Sequence, residues 1–270
     1  MKILFFCPRW GLEKLSWEVF LGQVKSAGYD GVESGLPADE NEKDQMMNGL
    51  EKHGLRFIAQ HWETVEHDFD KHQQEFERRL YELSAAKPQF INSQTGKDYY
   101  SFARNEQLID TAARISAASG IPVLHETHRG KFSFAAHVMQ AYLERLPGLR
   151  ITLDISHWCT VAETFLHDQD TAVQTAILHS DHIHARIGHT QGPQVMDPRA
   201  PEYKEALNFH LQCWDKVIDL KRKEGSKFFT ITPEFGAPPY LPLFPYTQQP
   251  MVSQWDINVF MMELLKKRYA

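Results

Sequence analysis

Three cysteines in 270 residues, none of them in a Cys-x-x-Cys pair, are too few and too widely spaced for a disulfide framework. Cys7, Cys159 and Cys213 instead fit a reducing compartment, and a cytoplasmic protein is expected. Long apolar runs are missing as well. The run at the start stops at Pro8, too short for a signal-peptide core, and no later window reaches membrane-spanning length. Positive charge is not in excess: 29 Lys and Arg stand against 35 Asp and Glu, a net charge of -6. That balance excludes a general binder of nucleic acid or anionic membranes, whose surfaces select clustered Lys and Arg. Neither GxGxxG nor GxxxxGK[ST] occurs, so a nucleotide cofactor cradled on a glycine loop is not expected. No Ser/Gly-rich linker divides the chain, and the one break in composition is the Pro-rich segment 237–250, so a single domain is expected. The expected ligand is a small molecule.

What the chain does have is a recurrent alternation. Short β-branched or aromatic runs stand at residues 2–6, 30–34, 55–61, 89–93, 121–126, 150–155, 181–187 and 227–234, each separated from the next by a stretch long enough for a helix. Intervening segments end at Gly28, Gly54 and Gly120, the residue type that closes helices in the left-handed conformation. Leu108, Ile109, Ala112, Ala113 and Ile115 follow a helical stripe, as do Phe260, Met261, Leu264 and Leu265, and both stripes read as packing faces. Alternating strand and helix implies a parallel sheet. Eight such units in about 250 residues imply an α/β fold closed as a (β/α)8 TIM barrel, one domain over residues 1–270. An open doubly wound sheet is the alternative, and the missing phosphate loop speaks against it.

Inward-facing residues of a barrel alternate along each strand, and active sites gather at the strands' C-terminal ends. Parity then puts Leu124 with Glu126, Thr152 with Asp154, His182 with His184 and Arg186, and Thr232 with Glu234. Strands five to eight thus bring Glu126, Asp154, His184 and Glu234 to one rim. Three carboxylates and an imidazole crowded there repel one another and desolvate badly without a cation, so one divalent metal ion is expected on these four residues. Carboxylate ligation with a single imidazole favours Mn²⁺, Mg²⁺ or Co²⁺ and admits Zn²⁺. Taken singly, each residue also has an ordinary role: a solvated loop acid, a helix cap, a backbone-bonded core histidine, a turn residue after Pro233. The coincidence of strand end and parity at four strands carries the site.

Neighbouring residues offer substrate contacts. His157 follows Asp154 by three residues, where the loop can turn its ring toward the site, and Arg186 shares a face with His184 and carries a fixed fork of donors. Glu33 and His61 end the second and third strands and are expected at the same rim as substrate-binding groups. Trp10, Trp62 and Trp158 lie at or just past strand ends, where an aromatic face stacks on a sugar or packs in the core. "HETHRG" at 125–130 does not have the HExxH spacing of a zinc protease.

With "GYDGVE" at 28–33, Glu126-x-His128, "LDISH" at 153–157, "HIHAR" at 182–186 and "PEFG" at 233–236, the whole chain resembles the xylose-isomerase-like barrel superfamily of sugar phosphate isomerases and epimerases. That group includes ketose 3-epimerases, hydroxypyruvate isomerase, inosose dehydratase and abasic-site nucleases of the endonuclease IV type. The resemblance to the 3-epimerases implies a metal held by Glu126, Asp154, His184 and Glu234 and a substrate contact from His157. It also implies an arginine six residues after the metal histidine, where this chain has Thr190; Arg186 or His189 is the available substitute, and the loop 188–203 is expected to act as a substrate lid. The nuclease branch needs further histidines on strand four and in the strand-seven loop, where Asn92, Asp197 and Arg199 stand, so a trinuclear site would lack ligands.

The resemblance and the chemistry imply proton transfer next to a carbonyl through an enediolate, with Glu126 and Glu234 as the acid/base pair on opposite sides of the sugar. An isomerase or epimerase of a sugar or sugar-like molecule is the expected activity. The alternatives are an inosose-dehydratase-like lyase, in which the enediolate expels a hydroxyl as water, and a sugar-binding barrel without turnover. Homo-oligomers are common in the superfamily, and one is compatible with this chain.

Overall fold

The computed structural model describes all 270 residues. Eight parallel strands form a closed barrel in sequence order: β1 (Lys2–Pro8), β2 (Gly31–Ser34), β3 (Arg56–His61), β4 (Ile91–Ser93), β5 (Val123–Glu126), β6 (Ile151–Leu153), β7 (Ser180–His184) and β8 (Phe228–Thr232). Closure is made by β1 against β8, where Lys2 to Phe5 pair with Phe228 to Ile231. The helices alternate with the strands: α1 (Trp17–Ala27), α2 (Glu40–His53), α3 (Phe69–Ala85), α4 (Phe102–Ser119), α5 (Ala136–Arg145), α6 (Ser156–Ala162), α7 (Asp170–His179), α8 (Lys204–Lys223) and α9 (Gln254–Tyr269). Both an expected TIM barrel and its eight strand positions are thus found.

Local chemistry starts and stops these elements. Ser16, Asp39 and Asp68 accept the backbone N–H groups of Val19, Glu42 and Lys71, satisfying free donors at the starts of α1, α2 and α3. Gly28, Gly54 and Gly120 close α1, α2 and α4 at φ of 85°, 60° and 72°.

Alternation along β1 separates two cores. Phe5 and Cys7 point outward into a cluster of 58 buried residues shared with the helices. Leu4 and Phe6 point inward and join Ile58, Phe90 and Leu124 in an apolar plug at the bottom of the barrel. Gly31 faces that plug: a Cβ there would meet the Phe6 ring at 2.5 Å and the Arg56 carbonyl at 2.4 Å, so only glycine lets β2 close against Phe6.

At the strands' N-terminal ends an ionic clasp joins three elements. Arg150 grips Asp181 with two bonds of 2.7 Å, and Lys221 of α8 reaches the same carboxylate at 2.8 Å. Burial disfavours the charged Asp181, but these bonds outweigh it and hold its pKa below the ordinary range. A carboxylate held low stabilises the fold above its unfolded pKa of about 3.9, and the contribution is lost as the pH falls through the lower folded value. Asp181→Asn is therefore expected to cost about 1 kcal/mol at neutral pH, a value discounted for the solvent that reaches the pair. The gap between wild type and variant, read from urea midpoints, should close in acid.

Candidate active site

Above the apolar plug the barrel interior turns polar in two layers. The lower layer centres on Glu33, which is 1% exposed. Its Oε1 accepts from Asn92 at 2.9 Å and lies 2.9 Å from His184 Nε2; its Oε2 accepts from the Thr232 hydroxyl and lies 3.3 Å from His182 Nε2. Burial works against this carboxylate, but the two imidazoles beside it hold it well below its ordinary pKa. Glu33 faces inward, as parity requires, yet it is not at the rim. The β2–β3 register sets it level with Ile58 of the plug, two residues before the cavity-lining Gln60. It is corrected from a substrate contact to the group that orients His184.

The upper layer holds Glu126, Asp154, His184 and Glu234, all buried, with one ligand atom from each lying within 4.8 Å of the others. His184 Nδ1 is 3.0 Å from Glu234 Oε2 and 3.8 Å from Glu126 Oε1. Glu126 Oε1 lacks a hydrogen-bond partner although buried, and His184 Nδ1, beside Glu234 Oε2, is not aligned for a hydrogen bond to it. Such poorly satisfied atoms closing on one another, in a set of three carboxylates and one imidazole, fit a divalent cation. The Nε2 of His184 is already taken by Glu33, which leaves Nδ1 as its free ligand atom, the arrangement usual for a metal histidine.

Electrostatics mark the same four residues. Burial, with Glu234 and Asp154 nearby, pushes the Glu126 carboxyl up to about 8. Burial also raises Asp154. For His184 burial disfavours charge, but Glu234, Glu33 and Glu126 surround the ring and hold its pKa well above the ordinary value. Arg186, also buried, supplies permanent positive charge: its Nη2 donates to Asp154 Oδ2 and to His157 Nε2, and its Nη1 lies 3.7 Å from Glu234 Oε2.

A cavity of about 580 Å³ opens above this layer, with Glu126, Glu234 and Arg186 in its lining. Trp10 lines it too. His157 does not reach it. The α6 helix begins at Ser156 and turns the His157 ring beneath Arg186 and against His128, ring centroids 3.9 Å apart. Burial and neighbouring positive groups hold His157 well below its ordinary pKa, so it is a neutral acceptor for Arg186. His128 takes its place on the cavity wall.

His61 is a second correction. Ile58 and Gln60 face inward, so His61 faces α3, where its ring packs edge-on to Phe76 at 5.2 Å. Its nitrogens are taken by Ser93 at 2.9 Å and Thr64 at 2.7 Å. The residue that reaches the site from β3 is Gln60, which donates to Glu234 Oε1 at 3.1 Å and could have been found by the same parity. Tyr240, in the Pro-rich segment, also lines the cavity, and no periodicity announces it. Trp158 is a core residue whose Nε1 donates to the Ser133 carbonyl. The loop 188–203, expected to be a lid, contributes nothing to the cavity wall; Gln194 ties it to the backbone of Gly236 instead.

No protein-family model matches this chain, and a search of curated proteins finds no match. Solved structures do match over its whole length. The probable 3-DHS dehydratase AsbF from Bacillus anthracis is 19% identical, with 99% of this chain and 100% of that one covered at a TM-score of 0.61. The 3-keto-D-glucoside 4-epimerase YcjR from E. coli is 12% identical over 98% and 100% of the two chains, at 0.61. A sugar phosphate isomerase/epimerase from Parabacteroides distasonis is 12% identical over 99% and 98%, at 0.62. At these identities the likeness is one of architecture: the chain has the barrel fold that these xylose-isomerase-like structures share.

Proposed function

We propose that the protein is a divalent-metal-dependent isomerase or epimerase acting on a sugar or sugar-like small molecule. The observation that carries the reading is the buried group of Glu126, Asp154, His184 and Glu234, with its poorly satisfied Glu126 and His184 atoms, beneath a cavity that Glu126 and Glu234 both line. An ion held there would supply positive charge beside the substrate's carbonyl oxygen. Mn²⁺, Mg²⁺ or Co²⁺ suits the donor set, with Zn²⁺ admissible.

Glu126 and Glu234 come from strands five and eight and so reach the cavity from different sides. One takes the proton from the carbon next to the carbonyl, and the other returns a proton to the neighbouring carbon or to the opposite face. Gln60 fixes Glu234 through its 3.1 Å bond, and Arg186 sets the position of Asp154. His128, on the wall, is the available hydrogen-bonding group for a substrate hydroxyl.

The test is solvent exchange. The Mn²⁺-loaded protein, incubated with a panel of ketoses in D₂O, should place deuterium on carbon in product or recovered substrate, and Glu234→Gln should lose roughly 10²-fold or more of that rate. Unlabelled products throughout would overturn the reading. A product lighter by one water would move the activity to the lyase class.

Metal binding itself yields two further expectations. Glu126 must lose its proton to act as a ligand, so Mn²⁺ affinity by calorimetry should rise with pH toward about 8 and fall as the pH drops below it. Glu33→Gln should weaken that affinity by about 10-fold to 100-fold while the barrel stays folded, because His184 loses the carboxylate that orients its ring.

A further inference from the structure

The cavity is larger and differently lined than proton transfer at Glu126 and Glu234 requires. Its volume of about 580 Å³ lies within the range of sites that take ligands larger than one sugar ring. The reacting carboxylates come from strands five and eight, whereas much of the remaining wall comes from the loops that follow β1, β2 and β3.

Three tryptophans stand on that side, of which Trp17 is buried beneath Arg9 and leaves Trp10 and Trp62 to face a ligand. Trp10 rests on Gly236 so closely that a Cβ there would lie 2.0 Å from the ring, and Tyr240 meets it edge-on at 4.9 Å. A ring held between these neighbours presents a face at little further ordering cost. Trp62 also lines the cavity but keeps 54% of its surface exposed, which is unusual for an indole unless something covers it.

The charges are the second observation. Five carboxylates face two guanidiniums, and no lysine is in the lining. Arg186 serves Asp154 and His157, while Arg9 lies over the Trp17 and Phe20 rings and uses its Nη2 to donate to the carbonyls of Glu13 and Leu15, its Nη1 remaining buried without a partner. Glu13 and Glu42 each use Oε1 to accept from Gly11 N–H and Trp17 Nε1, and no protein donor meets Oε2 of either. Away from Glu126 and Glu234, the carboxylates of Glu13, Glu42 and Glu63 outnumber the one guanidinium of Arg9, which disfavours a phosphate there and offers acceptors to hydroxyl groups.

We propose that the substrate is an uncharged two-ring carbohydrate: the reacting ring lies over Glu126 and Glu234, and a second ring lies against Trp10 and Trp62, with hydroxyls donating to Glu13 and Glu42. This rests on the proposed function for the position of the reacting ring and adds the substrate class.

Calorimetric titration of the Mn²⁺-loaded protein with maltose, cellobiose and lactose, against glucose, galactose and glucose 6-phosphate, tests it. At least one two-ring sugar should bind about tenfold tighter than its one-ring components, in line with stacking on one or two aromatic faces, and glucose 6-phosphate should bind no better than glucose. Trp62→Ala, at a position exposed enough to leave the fold intact, should remove most of the two-ring advantage, and Trp10→Ala serves as a second variant. Tighter binding of the phosphate, the absence of any two-ring advantage, or an equal loss for both ligand sizes in Trp62→Ala would overturn the proposal. Solvent exchange on ketoses is scored separately: if it fails while the two-ring preference stands, the proposed reaction falls and the subsite remains.

Discussion

Charge buried without water is the constraint around which the upper barrel is arranged. Glu33, Glu126, Asp154 and Glu234 sit almost wholly out of solvent inside a ring of eight strands, and each needs compensation that the apolar plug below cannot give. Two imidazoles, one guanidinium and a set of amides and hydroxyls supply part of it. Glu33 is the best satisfied of the four, and its carboxylate fixes which nitrogen of His184 remains free. Glu126 is the least satisfied, and it is the carboxyl whose proton affinity rises most plainly. A graded sequence follows, from plug to orienting carboxylate to the carboxylates of the cavity wall, along a single interior.

That grading comes from register as much as from residue type. Glu33 and Glu126 are each the last inward-facing residue of their strands, yet β2 sits deeper than β5, so one carboxylate becomes a support and the other reaches the cavity. Arg186 and His157 show the same principle beyond the strands. Arg186 continues the inward parity of β7 and lies on the wall, whereas α6 begins so soon after Asp154 that His157 is drawn under it.

The barrel and four of its interior charges were legible in the sequence because both rest on short-range rules: strands and helices alternate in composition, and side chains alternate across a strand. Glu126, Asp154, His184 and Glu234 converge because parity is preserved through the ends of β5, β6, β7 and β8. The same rule places Gln60, not His61, at the site, because Gln60 is the last inward residue of β3 and His61, its last residue, faces α3. Depth was not legible, since nothing local records how far β2 is staggered against β3. Tyr240 was hidden for another reason: the Pro-rich segment has no period, and its part in the cavity depends on where Trp10 lies.

The plug of Leu4, Phe6, Ile58, Phe90 and Leu124 gives the barrel one closed end. Whatever enters the cavity therefore leaves by the same mouth, past the same tryptophans, so that a molecule on its way out and one on its way in compete for a single passage.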